Sequence, residues 1–240
     1  MKRILFLASI AVVCMAAHAQ DELTTTISGD VVSEYVWRGQ KLGDVSLQPT
    51  LGIAYKGLSL TAWGSVGLSE ANDTKELDLT LSYSSKGFNI GITDYWFNDG
   101  PEPGNRYFRY GSHATNHLFE ACIGYDFGVA AIEWYTNFAG NDGLNKSGER
   151  AYSSYIEANV PFRIAGCEWT ATAGAVPFAT DFYATNGFAL TNLSLQASRE
   201  MRITDSFAIP VFAQLVANPR SGNAYLVVGF TLKPCGWVGE

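Results

Sequence analysis

The stretch Leu23–Gly39, LTTTISGDVVSEYVWRG, alternates with period two. Ile27, Val31, Tyr35 and Trp37 fall on one side; Ser28, Asp30, Glu34 and Arg38 fall on the other. Successive side chains of a strand point to opposite faces, so the pattern predicts a strand with an apolar face and a charged one. The pattern returns along the chain. Phe88, Ile90, Ile92 and Trp96, for example, oppose Asn89, Gly91, Thr93 and Tyr95. The other predicted strands are Val45–Lys56, Leu58–Leu68, Glu76–Tyr83, His117–Phe127, Ala130–Phe138, Tyr152–Val160, Gly166–Val176, Phe188–Arg199, Phe207–Leu215 and Ala224–Leu232, about twelve in all.

The connections alternate in length. After odd strands they run roughly 6 to 19 residues. After even strands they are mostly about two to four residues, as at Lys56-Gly57 and Lys86-Gly87, lengthening to about six near 161–166 and 200–205. Short turns at one end and long loops at the other predict an all-β fold: an antiparallel up-and-down transmembrane β-barrel with short periplasmic turns and longer extracellular loops. An even strand number returns both termini to the periplasmic side. No segment of the mature chain approaches the ~18 apolar residues of a membrane helix.

A soluble sandwich also alternates. Three features favour lipid. Nearly every strand alternates, as a barrel between hydrocarbon and a polar lumen demands. Aromatic residues sit at strand ends: Trp37, Trp96, Phe138 and Tyr152 at the long-loop end, Tyr55, Tyr83, Phe88, Tyr125, Phe127, Phe207 and Phe230 at the other. Carboxylates occupy polar-face positions in mid-strand, where a wet interior tolerates them and lipid would not.

Composition adds boundaries. Lys2 and Arg3, the apolar run Ile4–Val13 and Ala17-His18-Ala19 read as a signal peptide over 1–19, leaving a single barrel domain over 20–240. Removing Lys2 and Arg3 from the 16 basic side chains leaves 14 against 23 acidic ones. That balance excludes nucleic acid as a partner, since phosphate binding needs clustered Lys and Arg. The implied partners are the lipid bilayer, the machinery that assembles barrels, and small solutes. Cys122, Cys167 and Cys235 are too few and scattered for a disulfide framework.

The start SGDVVSEYVWRGQ, followed by QPTLGIAY and LSLTAWGSVG, resembles an uncharacterised family of small Gram-negative outer-membrane proteins. Their mature N-termini carry a pattern like S-x-D-x-x-S-x-Y-x-x-R-G, which falls here on Ser28, Asp30, Ser33, Tyr35, Arg38 and Gly39. The resemblance covers about the first 70 residues. It implies a signal peptide, a β-barrel and a place in the outer membrane, and it brings no activity.

The predicted lumen is acidic. Asp30, Glu34, Asp78, Glu120, Glu133 and Glu157 line it with Arg38, so a water-filled interior would favour cations. The leading reading is a passive channel for small solutes with weak cation preference. The alternative is a non-conducting barrel whose lumen is plugged by Arg38 and tyrosines bonded to those acids, acting through its loops. The loop Asn98–Asn116 carries Arg106, Arg109 and His113, candidates for ligand binding. His113 and His117 lack a third metal ligand nearby, so neither a metal nor a cofactor is predicted. An outer-membrane hydrolase is the weakest reading: His117 and Ser154 lie on strands that are not neighbours, and no G-x-S-x-G or H-E-x-x-H pattern is present.

Overall fold

The computed structural model describes residues 23–69, 75–98, 105–111, 114–204 and 207–233. The predicted signal peptide, Cys235 and His113 lie outside these.

The chain forms β1 (Thr24–Val32), β2 (Tyr35–Trp37), β3 (Gln40–Gly43), β4 (Ser46–Tyr55), β5 (Leu58–Gly67), β6 (Glu76–Ser85) and β7 (Phe88–Phe97). Then follow β8 (His117–Asp126), β9 (Ala131–Gly140), β10 (Ser154–Ile164), β11 (Cys167–Val176), β12 (Ala189–Thr204), β13 (Phe207–Asn218) and β14 (Asn223–Leu232). Twelve of these make one closed antiparallel barrel; β2 and β3 form a separate two-stranded sheet. Closure runs through β1, which pairs with β4 on one side and β14 on the other. Every wall strand thereby has a neighbour on both sides, as a span of hydrocarbon requires.

The outer wall is apolar. Leu51, Leu81, Leu215 and Leu226 are each more than half exposed, and Leu60, Ile92 and Ile123 nearly so. A continuous apolar belt of this kind has no stable place in water. The molecule is an outer-membrane-type barrel whose alternation is turned inside out relative to a soluble protein. The inner wall is polar: Gln48, Asp78, Thr80, Ser82, Thr93, Glu120, Glu133, Asn137, Glu157, Asn192 and Gln196 are buried.

The first predicted strand stops early. The wall strand ends at Val32, whose partner across the sheet is Ser46. Residues 33–45 leave the β1–β4 ladder between those two partners: Ser33 and Val45 still bond to Val228 and Leu68 of the wall, and Tyr35–Gly43 fold inward as the β2–β3 hairpin. Its turn is Arg38-Gly39, with φ of 49° and 81°. Positive φ at both central residues is the turn that suits tight hairpins. Tyr35 and Trp37, expected to face lipid with Trp37 at the outer interface, are instead 3% and 5% exposed inside the barrel. The period-two pattern runs unbroken through the excursion, so it cannot reveal where the strand leaves the wall. Lys56-Gly57 and Lys86-Gly87 adopt the same turn with the same residue pattern. Arg38-Gly39 was the equivalent signal.

Two predicted turns also shorten. β10 continues through Pro161 to Ile164, leaving the connection 165–166, and β12 continues to Thr204. Proline lacks the ladder N–H and is tolerated where a strand has one partner. The β9–β10 ladder ends at Asn159, before Pro161. Pro210 likewise precedes the first β13–β14 pair at Val211.

Candidate functional site in the lumen

Arg38 is the centre of the lumen, 7% exposed although it sits on a turn. Its Nη1 donates to Glu120 Oε2 at 2.6 Å and its Nη2 to Glu120 Oε1 at 2.9 Å. This is the bidentate fork that matches guanidinium to carboxylate. Nη1 also donates to the Tyr183 hydroxyl at 2.7 Å. The guanidinium carbon lies 4.3 Å from the Trp37 ring centre, 4.2 Å from that of Tyr135 and 4.6 Å from that of Tyr155. Each such contact is worth about 0.5–2 kcal/mol once water is excluded. Burial is the largest influence and pushes the guanidinium down, but Glu120, Tyr183 and Tyr95 together hold the group well above its ordinary value. Burial, followed in size by the opposing pull of Arg38, sets the Tyr183 hydroxyl, which ends well up from its ordinary value.

Three wall strands and one loop build this cage around the hairpin. Glu120 projects from β8, Tyr135 from β9 and Tyr155 from β10. Tyr183 comes from the 177–188 connection and stacks on Tyr155 with ring centres 6.0 Å apart. Trp37 packs among Tyr95, Phe182 and Tyr183. Gly174 explains how Tyr155 lies flat on the wall: a Cβ there would overlap the Tyr155 hydroxyl. The hairpin is tied elsewhere as well. Tyr35 donates to Glu76 Oε2 at 2.8 Å, and Asn218 Nδ2 donates to the Gly39 carbonyl at 3.0 Å.

Tyrosines pair with the wall acids. Tyr95 donates to Glu120, Tyr135 to Glu133 and Tyr155 to Glu157, all between 2.7 and 2.9 Å. Asp78, only 2% exposed, lies inside with one carboxylate oxygen lacking a protein partner. Asp30 sits inside near Thr231 and is partly covered. Glu34 differs from expectation. It is on the hairpin rather than a wall strand, is partly exposed, and receives a 3.0 Å bond from Lys41. Alternation places Glu76 on a lumen position and Tyr95, Tyr135 and Tyr155 on polar strand faces, but it does not single them out as partners of Arg38, and Tyr183 is not found at all. The i, i+2 spacing of Glu133 with Tyr135 and of Tyr155 with Glu157 places each pair on one strand face, which is the signal that would have found two of them.

The 105–111 segment does not enter the lumen. It lies against the outside of the barrel over His117, which occupies an outward position of β8 yet is fully buried. His117 Nδ1 is 2.7 Å from Asp94 Oδ1, and Nε2 is 2.5 Å from the Tyr107 carbonyl. Tyr110 covers the ring at 4.1 Å between centres. Burial, then Asp94, pushes the Tyr110 hydroxyl up to about 12. Arg106 is exposed at the edge of this clasp, and Arg109 Nε donates to the Ala114 carbonyl. The structure keeps both arginines away from the lumen acids. Among the described residues no group of three metal-ligating side chains converges.

A family model described as a bacterial protein of unknown function (Gcw_chp) matches residues 16–205. No curated protein matches the chain. Among solved structures it is similar to a Salmonella typhi OmpF complex with daunomycin, at 10% identity and TM-score 0.36 over 88% of this chain and 96% of that one. It is also similar to CdiB from Acinetobacter baumannii, at 10% identity and TM-score 0.37 over 88% and 59%. An outer membrane channel from Pseudomonas putida F1 follows, at 11% identity and TM-score 0.33 over 87% and 92%.

Proposed function

The chain belongs to the Gcw_chp family, and since that family is described only as bacterial proteins of unknown function, we propose an activity from the lumen. In this reading the protein is a passive outer-membrane channel for small solutes with a preference for cations. The observation that carries it is the charge of the inner wall. Glu76, Asp78, Glu120, Glu133 and Glu157 are buried there, while Arg38 is the one buried Lys or Arg among the described residues. A low-dielectric passage lined by one sign of charge concentrates the opposite ion. The termini lie in the periplasm, the long-loop end faces outward, and the barrel-assembly machinery inserts the chain.

The inward hairpin adds a second element to the reading: the channel is closed in this conformation by residues 33–45. Because Val32 and Ser46 are direct partners, the excursion can swing without opening the wall. Planar-bilayer recording tests this. Wild type is expected to conduct little. A variant in which residues 33–45 are replaced by a two-residue turn is expected to conduct steadily with cation over anion selectivity. If that variant folds as a barrel and passes no current, the channel reading fails and a structural barrel acting through its loops takes its place.

A further inference from the structure

We infer that Glu120, Tyr135, Tyr155 and Tyr183 form a binding station for a guanidinium- or ammonium-bearing solute, occupied in this conformation by Arg38 as a built-in stand-in. This deepens the channel reading and rests on it.

The division of labour between wall and hairpin carries the inference. The cation arrives on residues 33–45, a segment whose two ends meet at Val32 and Ser46. Every group that recognises it, apart from Trp37, belongs to the wall or to the 177–188 connection. Glu120 offers both oxygens to one guanidinium at 2.6 and 2.9 Å. The Tyr183 hydroxyl accepts a third bond at 2.7 Å. Tyr135 and Tyr155 present ring faces at 4.2 and 4.6 Å. A carboxylate flanked by aromatic faces is the general solution for binding organic cations.

Anchoring alone does not require this arrangement. A buried ion pair adds little stability over well-packed apolar groups of similar size. Trp37, Tyr95 and Phe182 already supply apolar packing for the hairpin. The surroundings also select charge type. Glu133 and Glu157 are bonded to the two cage tyrosines, so further acid stands behind the rings. An anion has no place here. A hard metal ion would need several converging oxygen ligands, and no such group converges among the described residues. A planar or alkylated nitrogen cation fits both the fork and the rings.

The test uses methylguanidinium as the probe and the full-length chain folded in detergent. Calorimetric titration of R38A is expected to give saturable binding. Wild type, whose own guanidinium fills the station, is expected to give none. R38A/E120Q is expected to bind about tenfold more weakly or worse. Absence of binding to folded R38A, equal binding after E120Q, or the same heat from sodium chloride would overturn the proposal. Should R38A not fold, the titration is run on the barrel whose residues 33–45 are replaced by a short turn. In that barrel methylguanidinium is also expected to reduce the current saturably. Current without binding or block removes the station and leaves the channel; binding without any current removes the channel and leaves a ligand site.

Discussion

Two ion pairs on one hairpin show how burial decides the value of a residue. Arg38–Glu120 is almost wholly buried, whereas Lys41–Glu34 stands partly in solvent. Glu34→Gln is therefore expected to change stability by no more than about 1 kcal/mol, because exposed pairs contribute little. Arg38→Lys keeps the charge but loses the fork and the flat stacking surface. It is expected to cost about 1–3 kcal/mol in urea unfolding of the detergent-folded barrel. An equal cost for both changes would mean that the cage does not hold the guanidinium as described. Arg38 was legible from the sequence as an interior charge. Its partners were not, since Glu120 and Tyr183 lie 82 and 145 positions away, and alternation carries no information about which strands face each other across a barrel.

Among the elements, the inward hairpin depends on one glycine. Gly39 has φ of 81°, and a Cβ there would overlap the Thr191 carbonyl, a backbone atom that cannot swing aside. Gly148 has a similar φ of 76° with nothing within 4 Å. Gly148→Ala is expected to cost about 1 kcal/mol of left-handed strain. Gly39→Ala is expected to cost about 2 kcal/mol or more, since overpacking adds to the strain, and to alter the near-ultraviolet signal of Trp37. Equal costs would show that the hairpin tip is not seated against β12. The outside clasp is a second element with its own test. His117→Ala removes the link between Asp94 and the Tyr107 carbonyl, so trypsin is expected to cut after Arg106 or Arg109 several-fold faster. Alternation with Leu118, Glu120 and Cys122, which point inward, gives His117 an outward position. That a loop would fold down over it was not readable, because a lipid-facing His and Asp become tolerable only once the loop covers them.

Over the whole molecule, the twelve wall strands were legible because nearly all repeat the same two-faced pattern and all obey the same physical demand. The exception, β2–β3, copies that pattern while leaving the wall. Tyr35 and Trp37 are apolar enough for lipid, and they are equally at home in an aromatic lumen cluster with Tyr95 and Trp63. Closure gives a prediction at this scale. Removing Ala224–Leu232 deletes the strand that pairs with β1 and β13. Assembly is expected to fail outright, with no protease-resistant, heat-modifiable form. A resistant truncated barrel would mean that another edge can close the wall.

The reach of residues 33–45 also sets an order of events in folding. Ser33 exchanges bonds with Val228, Gly39 accepts from Asn218, and Arg38 needs Tyr183. The excursion is among the first parts of the barrel to be synthesised, yet its seats are supplied by some of the last. It can lock only after the cylinder has come together. Refolding followed by tryptophan fluorescence should accordingly show a late phase that wild type has and the hairpin-replaced barrel lacks, an internal latch thrown once the closing strands are home.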